Sequence, residues 1–505
     1  MLTKFSRSSR HLLTPILIAE LVGMCLLKWP RLYNFDRFAF WDWGAYLVAH
    51  YLTQQGKLPV TDFGWQYGLL PLLLQELWFH VLPAGPASFL ILSFPCALVT
   101  TLAIGRFANQ ESRASGYALV IASLPFVVGF GDLSHYLEPT LLSVGLLLQA
   151  QRKRERSLAF ATAACFTKPS MGYLYGLIVL SLIVADLKRQ GRLKVTSLAS
   201  ALAPAAGTGL VLTVLLVAAF GWIPLISSLL PLTGARNYRL LHYGLGALLK
   251  LIDLPGLRLG YYIGTPVTFL VCATLYITAS VAVVGWRALR DKTHAPGNYE
   301  IVFTCTLLHL GFLGFFYGSP ASWFNYVYIL VMGVVATDAW TRINSRIVTG
   351  LCVIATIANY SVFAASVEAW KTMQRSPVTA GLYASPSESK EWNYVASMVS
   401  KDKPVLYTWA GGAEVLFPWL PKPLGAFIEP GEATDSEIQH KVEQLRSAKT
   451  IIIPNIPGIG SPLTNWQGPE FKTVLDNTKV VFRGNYFEVY ERTVADSSIA
   501  PKPQR

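Results

Sequence analysis

The sequence predicts a polytopic α-helical membrane protein with about 11 transmembrane helices, interfacial helices and a C-terminal extracytoplasmic α/β domain. Three observations carry this prediction. First, 52% of the 505 residues are hydrophobic and only 14% are charged, whereas soluble domains carry roughly 25% charged residues. Second, the basic residues lie in short clusters between long apolar runs. Third, the long apolar runs end near residue 366, and shorter β-rich and helical patterns follow.

The basic clusters predict orientation in the membrane. They fall at 4–10, 106–113, 152–156, 188–194, 287–292 and 342–346. Short cytoplasmic loops are enriched in Lys and Arg, so an even number of crossings should separate neighbouring clusters. We therefore expect a multi-pass protein of the inner (plasma) membrane, with its N-terminus in the cytoplasm and its C-terminal domain outside. The net charge of +13 then reflects orientation, and no nucleic-acid partner is expected.

The first part of the chain contains three apolar runs, at 12–28, 68–83 and 86–105, where parity allows two crossings. The middle run is interrupted by Pro and Gly and carries polar side chains, which favours an interfacial helix. The stretch 43–55 is interpreted in the same way. Both belong to a predicted membrane domain of residues 1–366, whose outer loops are 30–67 and 221–264.

The next crossings are predicted at 116–131 and 139–151, followed by a hairpin of 157–166 and 170–187. This hairpin breaks at Thr167-Lys168-Pro169, because proline disfavours helix in the residue before it. Its first arm rises only ~17 Å as a helix, whereas the hydrocarbon core is about 30 Å thick. Lys168 should therefore lie below the outer surface and face a protein-lined cavity.

Further crossings are predicted at 196–220, 265–286, 299–318, 322–340 and 347–366. Residues 367–495 are predicted to form the extracytoplasmic α/β domain, and 496–505 a disordered tail. The strand patterns lie at 404–408, 450–454, 480–482 and 486–492, and the helical patterns at 387–400, 435–447 and 470–477.

Asp42 is the first candidate for chemistry. It lies between two tryptophans in Phe40-Trp41-Asp42-Trp43, in a polar loop that is unusually long for an extracytoplasmic connection. A carboxylate there could act as a general base or position a cation. The alternative is a solvated aspartate, or the N-cap of a helix that begins at Trp43.

Asp132, His135 and Glu138 form a second group, in a predicted outer turn. Their spacing would place them on one face of a helix. However, Pro139 favours a new helix that starts after Glu138, with this carboxylate at the positive end of the helix dipole. Helix capping is sufficient to explain Glu138 alone, but it does not explain why all three polar residues lie in one turn, which favours a functional role.

Lys168, Arg236 and Arg239 are candidates for binding a phosphate. A cation at membrane depth is usually paired or functional, and guanidinium groups match phosphate oxygens. The alternatives are an ion pair of Lys168 with Glu138 or Asp132, and lipid-headgroup contacts for the arginines. Trp323, Asn325 and Tyr326 precede a predicted crossing and are interpreted as an interfacial aromatic belt.

No metal site is predicted from ligand spacing. The eight histidines are scattered, and all six cysteines lie in apolar stretches. A divalent cation bridging Asp42 and Glu138 stays an open alternative.

Three short motifs resemble those of bacterial GT-C-fold membrane glycosyltransferases, which include protein mannosyltransferases, aminoarabinose transferases and lipopolysaccharide-core sugar transferases. The motifs follow the acidic loop in the order typical of that superfamily. They are Gly56-Lys-Leu-Pro-Val-Thr-Asp62-Phe-Gly-Trp65-Gln-Tyr67-Gly68, then Glu138-Pro139-Thr140-Leu141-Leu142, then Phe166-Thr167-Lys168-Pro169.

The resemblance implies inverting transfer of a sugar from a polyprenyl-phosphate-linked donor to a lipid, glycan or protein acceptor on the outer face. It implies that Asp42 is the catalytic carboxylate and Glu138 a supporting acid, with Lys168 near the donor phosphate. Trp65 and Tyr67 would bind substrate, as would Asp132 and His135. Two departures leave the base and metal use open: Asp42 has no second acid beside it, and Glu replaces the more usual Asp at 138.

Two other functional classes stay open. A lipid-linked sugar flippase or transporter could also use outer carboxylates and a buried lysine, but it should show two related halves, which the sequence does not. A non-catalytic envelope scaffold would need no buried charge. The glycosyltransferase hypothesis requires Asp42, Glu138 and Lys168 to converge on one crevice at the outer leaflet.

Overall fold

The computed structural model describes residues 7–111, 113–127, 133–230, 266–291, 295–316, 326–408, 410–426, 433–455, 461, 471 and 473–493. The chain divides into two compact units. The first comprises residues 1–32, 67–231 and 242–369, and the second comprises residues 33–66, 232–241 and 370–505. Most of the loop that we assigned to the membrane domain, up to residue 66, therefore groups with the C-terminal residues.

Long apolar helices dominate the first unit. In chain order the described helices up to residue 372 are α1 (Arg7–Leu32), α2 (Phe35–Phe40), α3 (Asp42–Gln54), α4 (Leu70–Phe79), α5 (Pro86–Glu111), α6 (Ala114–Val127), α7 (Leu133–Ala150), α8 (Arg154–Cys165), α9 (Pro169–Arg189), α10 (Val195–Phe220), α11 (Trp222–Leu229), α12 (Pro266–Arg290), α13 (Tyr299–Phe316), α14 (Val327–Asp338) and α15 (Arg342–Thr372). Of these, α2 and α3 belong to the second unit.

Within the described residues, six helices are long and apolar enough to cross a membrane, namely α1, α5, α9, α10, α12 and α15. Their outward faces are apolar. In α10 only 17% of the most apolar 18-residue stretch is buried, and Leu210 and Val214 are 66% and 57% exposed. Apolar side chains exposed on this scale require lipid around them. The protein is therefore a multi-pass membrane protein, as predicted.

The shorter helices agree with the predicted breaks. Each predicted crossing contains a described helix, and α8 and α9 separate at Phe166-Thr167-Lys168 as the proline indicated. Helix α4 has 10 residues and rises only about 15 Å, which is too short to cross. This length fits the interfacial position predicted for the run 68–83.

The prediction that a helix begins at Pro139 is wrong. Helix α7 begins at Leu133 and continues through Pro139, so Glu138 lies in the second turn and away from the positive end of the helix dipole. A proline inside a helix removes one backbone N–H, but membrane helices tolerate this when neighbours satisfy the freed groups. The Thr140 hydroxyl lies 2.8 Å from the carbonyl of Tyr136 and 2.9 Å from that of Cys96, which ties this turn to α5.

The second unit is an α/β domain, which confirms the prediction for the C-terminal region. Its central sheet has the strand order β3 (Val405–Leu406), β4 (Thr450–Pro454), β6 (Phe487–Arg492), β5 (Thr478–Arg483). Strands β3 and β4 pair in parallel and the others pair antiparallel. A separate two-stranded ribbon joins β1 (Gln374–Arg375) to β2 (Tyr383–Ala384).

Besides α2 and α3, the α-helices that the structure describes in this domain are α16 (Pro386–Val399), α17 (Gly412–Leu416) and α18 (Asp435–Ser447). Capping boxes at Ser385 and Thr434 fix the starts of α16 and α18. The helix predicted at 470–477 is not formed over residues 473–477, which are turns. The rest of that segment, except Phe471, and the tail 496–505 lie outside the described residues.

Aromatic rings explain why residues 33–66 belong to the second unit. The Phe35 ring lies 5.5 Å from Trp392 and 5.9 Å from Phe417. Phe40 lies 6.0 Å from Trp392 and 5.8 Å from Phe487. Edge-to-face rings at these distances add specific geometry to a large burial of apolar area. Helix α2 is therefore part of the core of this unit.

Two carboxyl groups meet beside this aromatic core. Asp36 and Glu388 are hydrogen-bonded to each other, and Glu388 is only 3% exposed. Burial, and next the charge of Asp36, raise the pKa of Glu388 to about 10. Burial also raises the pKa of Asp36. The pair therefore holds a proton at neutral pH, which lets one carboxyl donate to the other.

Because Asp36 and Glu388 hold this proton in the folded state, the protein should lose stability at alkaline pH. The folded chain keeps the Glu388 proton from the ordinary pKa of 4.5 up to about 10, while the unfolded chain releases it. The contribution of this proton to the free energy of unfolding is therefore complete below pH 4.5. It falls as the pH rises toward about 10, by up to about 1.4 kcal/mol per pH unit. We expect the melting temperature of the purified protein to fall between about pH 6 and about pH 9, and to fall less in Glu388→Gln.

The matched control is Glu443→Gln, since Glu443 is an exposed acid on α18 of the same unit. It should keep the pH dependence of the unaltered protein. Parallel curves for the unaltered protein and Glu388→Gln would contradict the shared proton.

Candidate functional site

The tip between α8 and α9 fixes the backbone of Lys168. The residue is extended, with φ −150° and ψ 94°, and it is the N-cap of α9. Its N–H donates to the carbonyl of Ala164 at 2.8 Å. Pro169 occupies the first helical position, where its missing N–H costs nothing. The sequence Thr167-Lys168-Pro169 thus ends one helix and begins the next within a single turn.

Gly68 clamps a second motif against this tip. The N–H of Gly68 donates to the carbonyl of Thr167 at 2.9 Å, and that of Leu70 donates to Phe166 at 3.0 Å. A Cβ at Gly68 would overlap the carbonyl of Phe166 and lie 2.9 Å from the backbone nitrogen of Thr167. Glycine is therefore required for this approach, which joins the end of the Tyr67-Gly68 motif to the Thr167-Lys168 motif.

Tyr67, His135 and Tyr326 lie around the ammonium of Lys168, and Glu138 contacts Tyr326. We term these five side chains the Lys168 cluster. Lys168 is 7% exposed, and its Nζ lies 3.0 Å from Nε2 of His135. The same nitrogen lies 5.9 Å from the ring centre of Tyr67 and 5.7 Å from that of Tyr326. The ring of Tyr67 stands edge-on to His135 at 5.6 Å. Aromatic faces at these distances attract a cation.

Glu138 enters the same cluster from α7, one turn after His135. It is fully buried, and the hydroxyl of Tyr326 donates to its Oε2 at 2.5 Å. The spacing of three residues places His135 and Glu138 on one face of the helix, as the sequence predicted for a helical arrangement. The structure thus joins residues from three separate motifs around one cation.

The interpretation of Tyr326 as part of an interfacial aromatic belt is wrong. Tyr326 is fully buried, because it precedes α14, a helix in which every residue is buried. That helix is apolar on all sides, and this pattern is the sequence signal that could have placed Tyr326 inside the protein. Trp323 and Asn325 lie outside the described residues.

Asp42 lies in the second unit and is the first residue of α3; the N-cap is Trp41, which is extended with φ −122° and ψ 179°. The alternative interpretation, in which Asp42 is the N-cap of a helix that starts at Trp43, is therefore off by one residue. A carboxylate in the first turn interacts favourably with the helix dipole. Trp43 is 4% exposed, and the guanidinium of Arg37 lies 4.8 Å from its ring centre.

The first helical turn of α3 is held by a close backbone contact within the second unit. A Cβ on Gly44 would lie 2.9 Å from Cα of Gly412, so α3 and α17 touch through two glycines. This contact fixes the helix that carries Asp42.

The first part of the long motif, up to Gln66, also belongs to the second unit. Gly64 donates its N–H to Oε2 of Glu437 at 2.6 Å, and burial raises the pKa of Glu437 to about 7. Trp65 is 5% exposed and stands edge-on to Tyr46 at 4.9 Å. The substrate-binding role predicted for Trp65 stays a prediction, since this packing accounts for its burial.

Three predicted site residues, Asp132, Arg236 and Arg239, lie outside the described residues. Among those described, no group of three or more His, Cys, Asp and Glu side chains could hold a metal ion. Asp42 belongs to the second unit and Glu138 and Lys168 to the first. The convergence of all three on one crevice stays a prediction.

No family model and no curated protein sequence matches this chain. Among solved structures, it is similar to ArnT from Cupriavidus metallidurans bound to undecaprenyl phosphate, with 12% identity and a TM-score of 0.46 over 95% of this chain and 98% of that chain. The apo state of the same protein gives 12% identity and a TM-score of 0.46 over 94% and 97%. Similarity at this level assigns no activity and no residue role to the chain.

The close backbone contact at Gly68 predicts that adding a single methyl group at this position destabilises the protein. In Gly68→Ala the new Cβ must displace the hairpin tip, which should cost about 1–3 kcal/mol of stability and lower the melting temperature of the detergent-purified protein. Gly85→Ala is the matched control, because a Cβ at Gly85 meets no atom within 4 Å. If both variants melt at the temperature of the unaltered protein, the clamp is not formed.

Proposed function

We propose that this protein is a membrane glycosyltransferase. It moves a sugar from a polyprenyl-phosphate-linked donor to a hydroxyl of a lipid, glycan or protein acceptor on the outer face of the membrane, with inversion at the sugar carbon. The observation that carries the proposal is the Lys168 cluster, which brings together a buried cation, a buried carboxyl group and aromatic rings. The three short motifs that resemble GT-C glycosyltransferases supply most of these residues.

In this proposal the donor phosphate binds at Lys168. An ammonium has three N–H donors, and its hydrogen bonds to phosphate oxygens are strong where water is excluded. The hydroxyl of Tyr326 donates to Glu138 at 2.5 Å, which fixes this carboxyl group against the same tyrosine whose ring faces the cation. Arg236 and Arg239 would add bidentate contacts to the same phosphate.

Transfer then proceeds by one displacement. The acceptor oxygen bonds to the anomeric carbon on the face opposite the phosphate, and the bond between that carbon and the phosphate oxygen breaks. The phosphate leaves with the electron pair and is stabilised by Lys168. Asp42 removes the proton from the acceptor hydroxyl as general base. Glu138 supports the developing positive charge on the sugar.

Asp42→Asn should abolish transfer, by at least about a hundredfold in kcat, while expression and membrane insertion stay normal. Asp435→Asn is the control, because Asp435 is also the first residue of a helix in the second unit, and it should transfer at the normal rate. The assay measures labelled product from labelled polyprenyl-phosphate sugar. An active Asp42→Asn enzyme would remove Asp42 from the role of base.

Lys168→Met should weaken donor binding while the fold is kept, because methionine matches the apolar stem of lysine and a buried charge is not needed for stability. We expect kcat/KM for the donor to fall about a hundredfold or more. The control is Lys153→Met, which removes an exposed lysine before the start of α8. Normal donor binding by Lys168→Met would contradict the phosphate site.

Purified protein in sealed vesicles separates this function from its alternatives. A glycosyltransferase forms a glycosylated acceptor from the labelled donor. Movement of the labelled lipid across the bilayer without product would show a flippase and contradict the proposal, as would the absence of both product and movement.

A further inference from the structure

We propose that a second site in the first unit binds the headgroup of an aminophospholipid, with phosphatidylethanolamine as its ligand. This site is a cavity of about 540 Å³, a volume typical of small-ligand pockets. It lies among the ends of α5, α7 and α14 and the start of α13. Its charged and aromatic lining residues include Glu111, Arg152, Glu300 and Trp340. The inference does not rest on the proposed transfer reaction.

The cavity lies at the helix ends remote from Lys168. Arg154 begins α8 and binds Glu300 of the cavity through its Nη2 at 2.5 Å, whereas Lys168 follows the other end of the same helix. Helix α8 has 12 residues and therefore rises about 18 Å. The basic clusters 106–113, 152–156, 287–292 and 342–346 adjoin these ends, and the sequence predicts that they face the cytoplasm. This places the cavity at the headgroup level of the inner leaflet.

Arg152 provides the phosphate-binding side. Its φ is 62°, a conformation that favours glycine, yet the position carries a charged side chain. The guanidinium donates to Oε2 of Glu300 at 3.1 Å and to the carbonyl of Gly297 at 2.9 Å, and the side chain is 58% exposed. Arginine has five N–H donors, so these contacts orient the group and leave donors for a phosphate.

Glu300 itself has little capacity for a ligand. Its Oε1 accepts from Gln149 at 3.1 Å and from Nε of Arg154 at 3.1 Å. Its Oε2 accepts from Arg154 at 2.5 Å and from Arg152 at 3.1 Å. Four donors saturate a carboxylate, so Glu300 serves to hold the two arginines.

Glu111 and Trp340 provide the ammonium-binding side. Glu111 is hydrogen-bonded to Asn298 and faces the charge of Arg152, which leaves acceptor positions on its carboxylate. The indole N–H of Trp340 donates to the same Asn298, so one side chain positions both groups. A carboxylate beside an indole ring is a favourable environment for an ammonium ion.

These charges select among membrane lipids. Phosphatidylethanolamine offers a phosphate to Arg152 and N–H donors to Glu111. Phosphatidylcholine has a quaternary ammonium without N–H donors, so the carboxylate gains no hydrogen bond from it. Phosphatidylglycerol has no cation and would place its negative charge beside Glu111.

Retention of lipids by the full-length purified protein tests the site. The protein is incubated with equal amounts of the three lipids, and bound lipid is counted by native mass spectrometry. We expect phosphatidylethanolamine to be retained at least about tenfold over the other two. Glu111→Gln should remove this preference, whereas Glu155→Gln, which alters an exposed acid in the first turn of α8, should keep it.

Arg152→Gly tests the phosphate side without backbone strain, because glycine adopts the observed φ freely. It should lower retention of all three lipids about tenfold.

A measurement on the unaltered protein avoids any dependence on folding of the variants: soluble glycerophosphoethanolamine should raise the melting temperature more than glycerophosphoglycerol does. Equal retention of the three lipids, or equal effects of the two soluble headgroups, would overturn the inference. Transfer activity is not a readout here, so the two proposals fail separately.

Discussion

The candidate site of the first unit is built around a buried ammonium group, that of Lys168. Removing a cation from water costs several kcal/mol unless protein groups replace its hydration. Here an imidazole nitrogen at 3.0 Å and two aromatic faces contact it. The backbone around the tip is also closed, because Gly68 and Leu70 donate to the carbonyls of Thr167 and Phe166. The short segment that leads into α4 is thus fixed on the hairpin tip that carries Lys168.

Local signals predicted part of this site and could not predict the rest. The break at Pro169 follows from proline chemistry, and the burial of Lys168 within the protein agrees with the short helix before it. The start of α7 does not, because Pro139 ends a helix in water but is tolerated inside a membrane bundle. Tyr326 was missed because its position before a crossing was considered alone, whereas the signal lay in the following helix, which is apolar on all sides.

In the second unit the sequence predicted the four strands of the central sheet. It did not predict that residues 33–66 pack with them. Strand β4 is buried along its whole length, as its run of three isoleucines predicts. The contribution of residues 33–66 rests instead on pairs far apart in sequence, such as Phe35 with Trp392 and Asp36 with Glu388. Packing partners at this separation leave no periodic pattern, so the segment resembled a membrane loop in sequence alone.

The geometry of α7 links the cation and the carboxyl of the Lys168 cluster. The ammonium donates to Nε2 of His135, which requires the neutral imidazole with its proton on Nδ1. One turn later Glu138 receives the hydroxyl of Tyr326. Both contacts come from the same helix face, so a rotation of α7 would break them together. Pro139, which leaves the carbonyl of His135 without its usual helical donor, lies in the turn that carries both residues, and this turn therefore depends on its neighbours for its position.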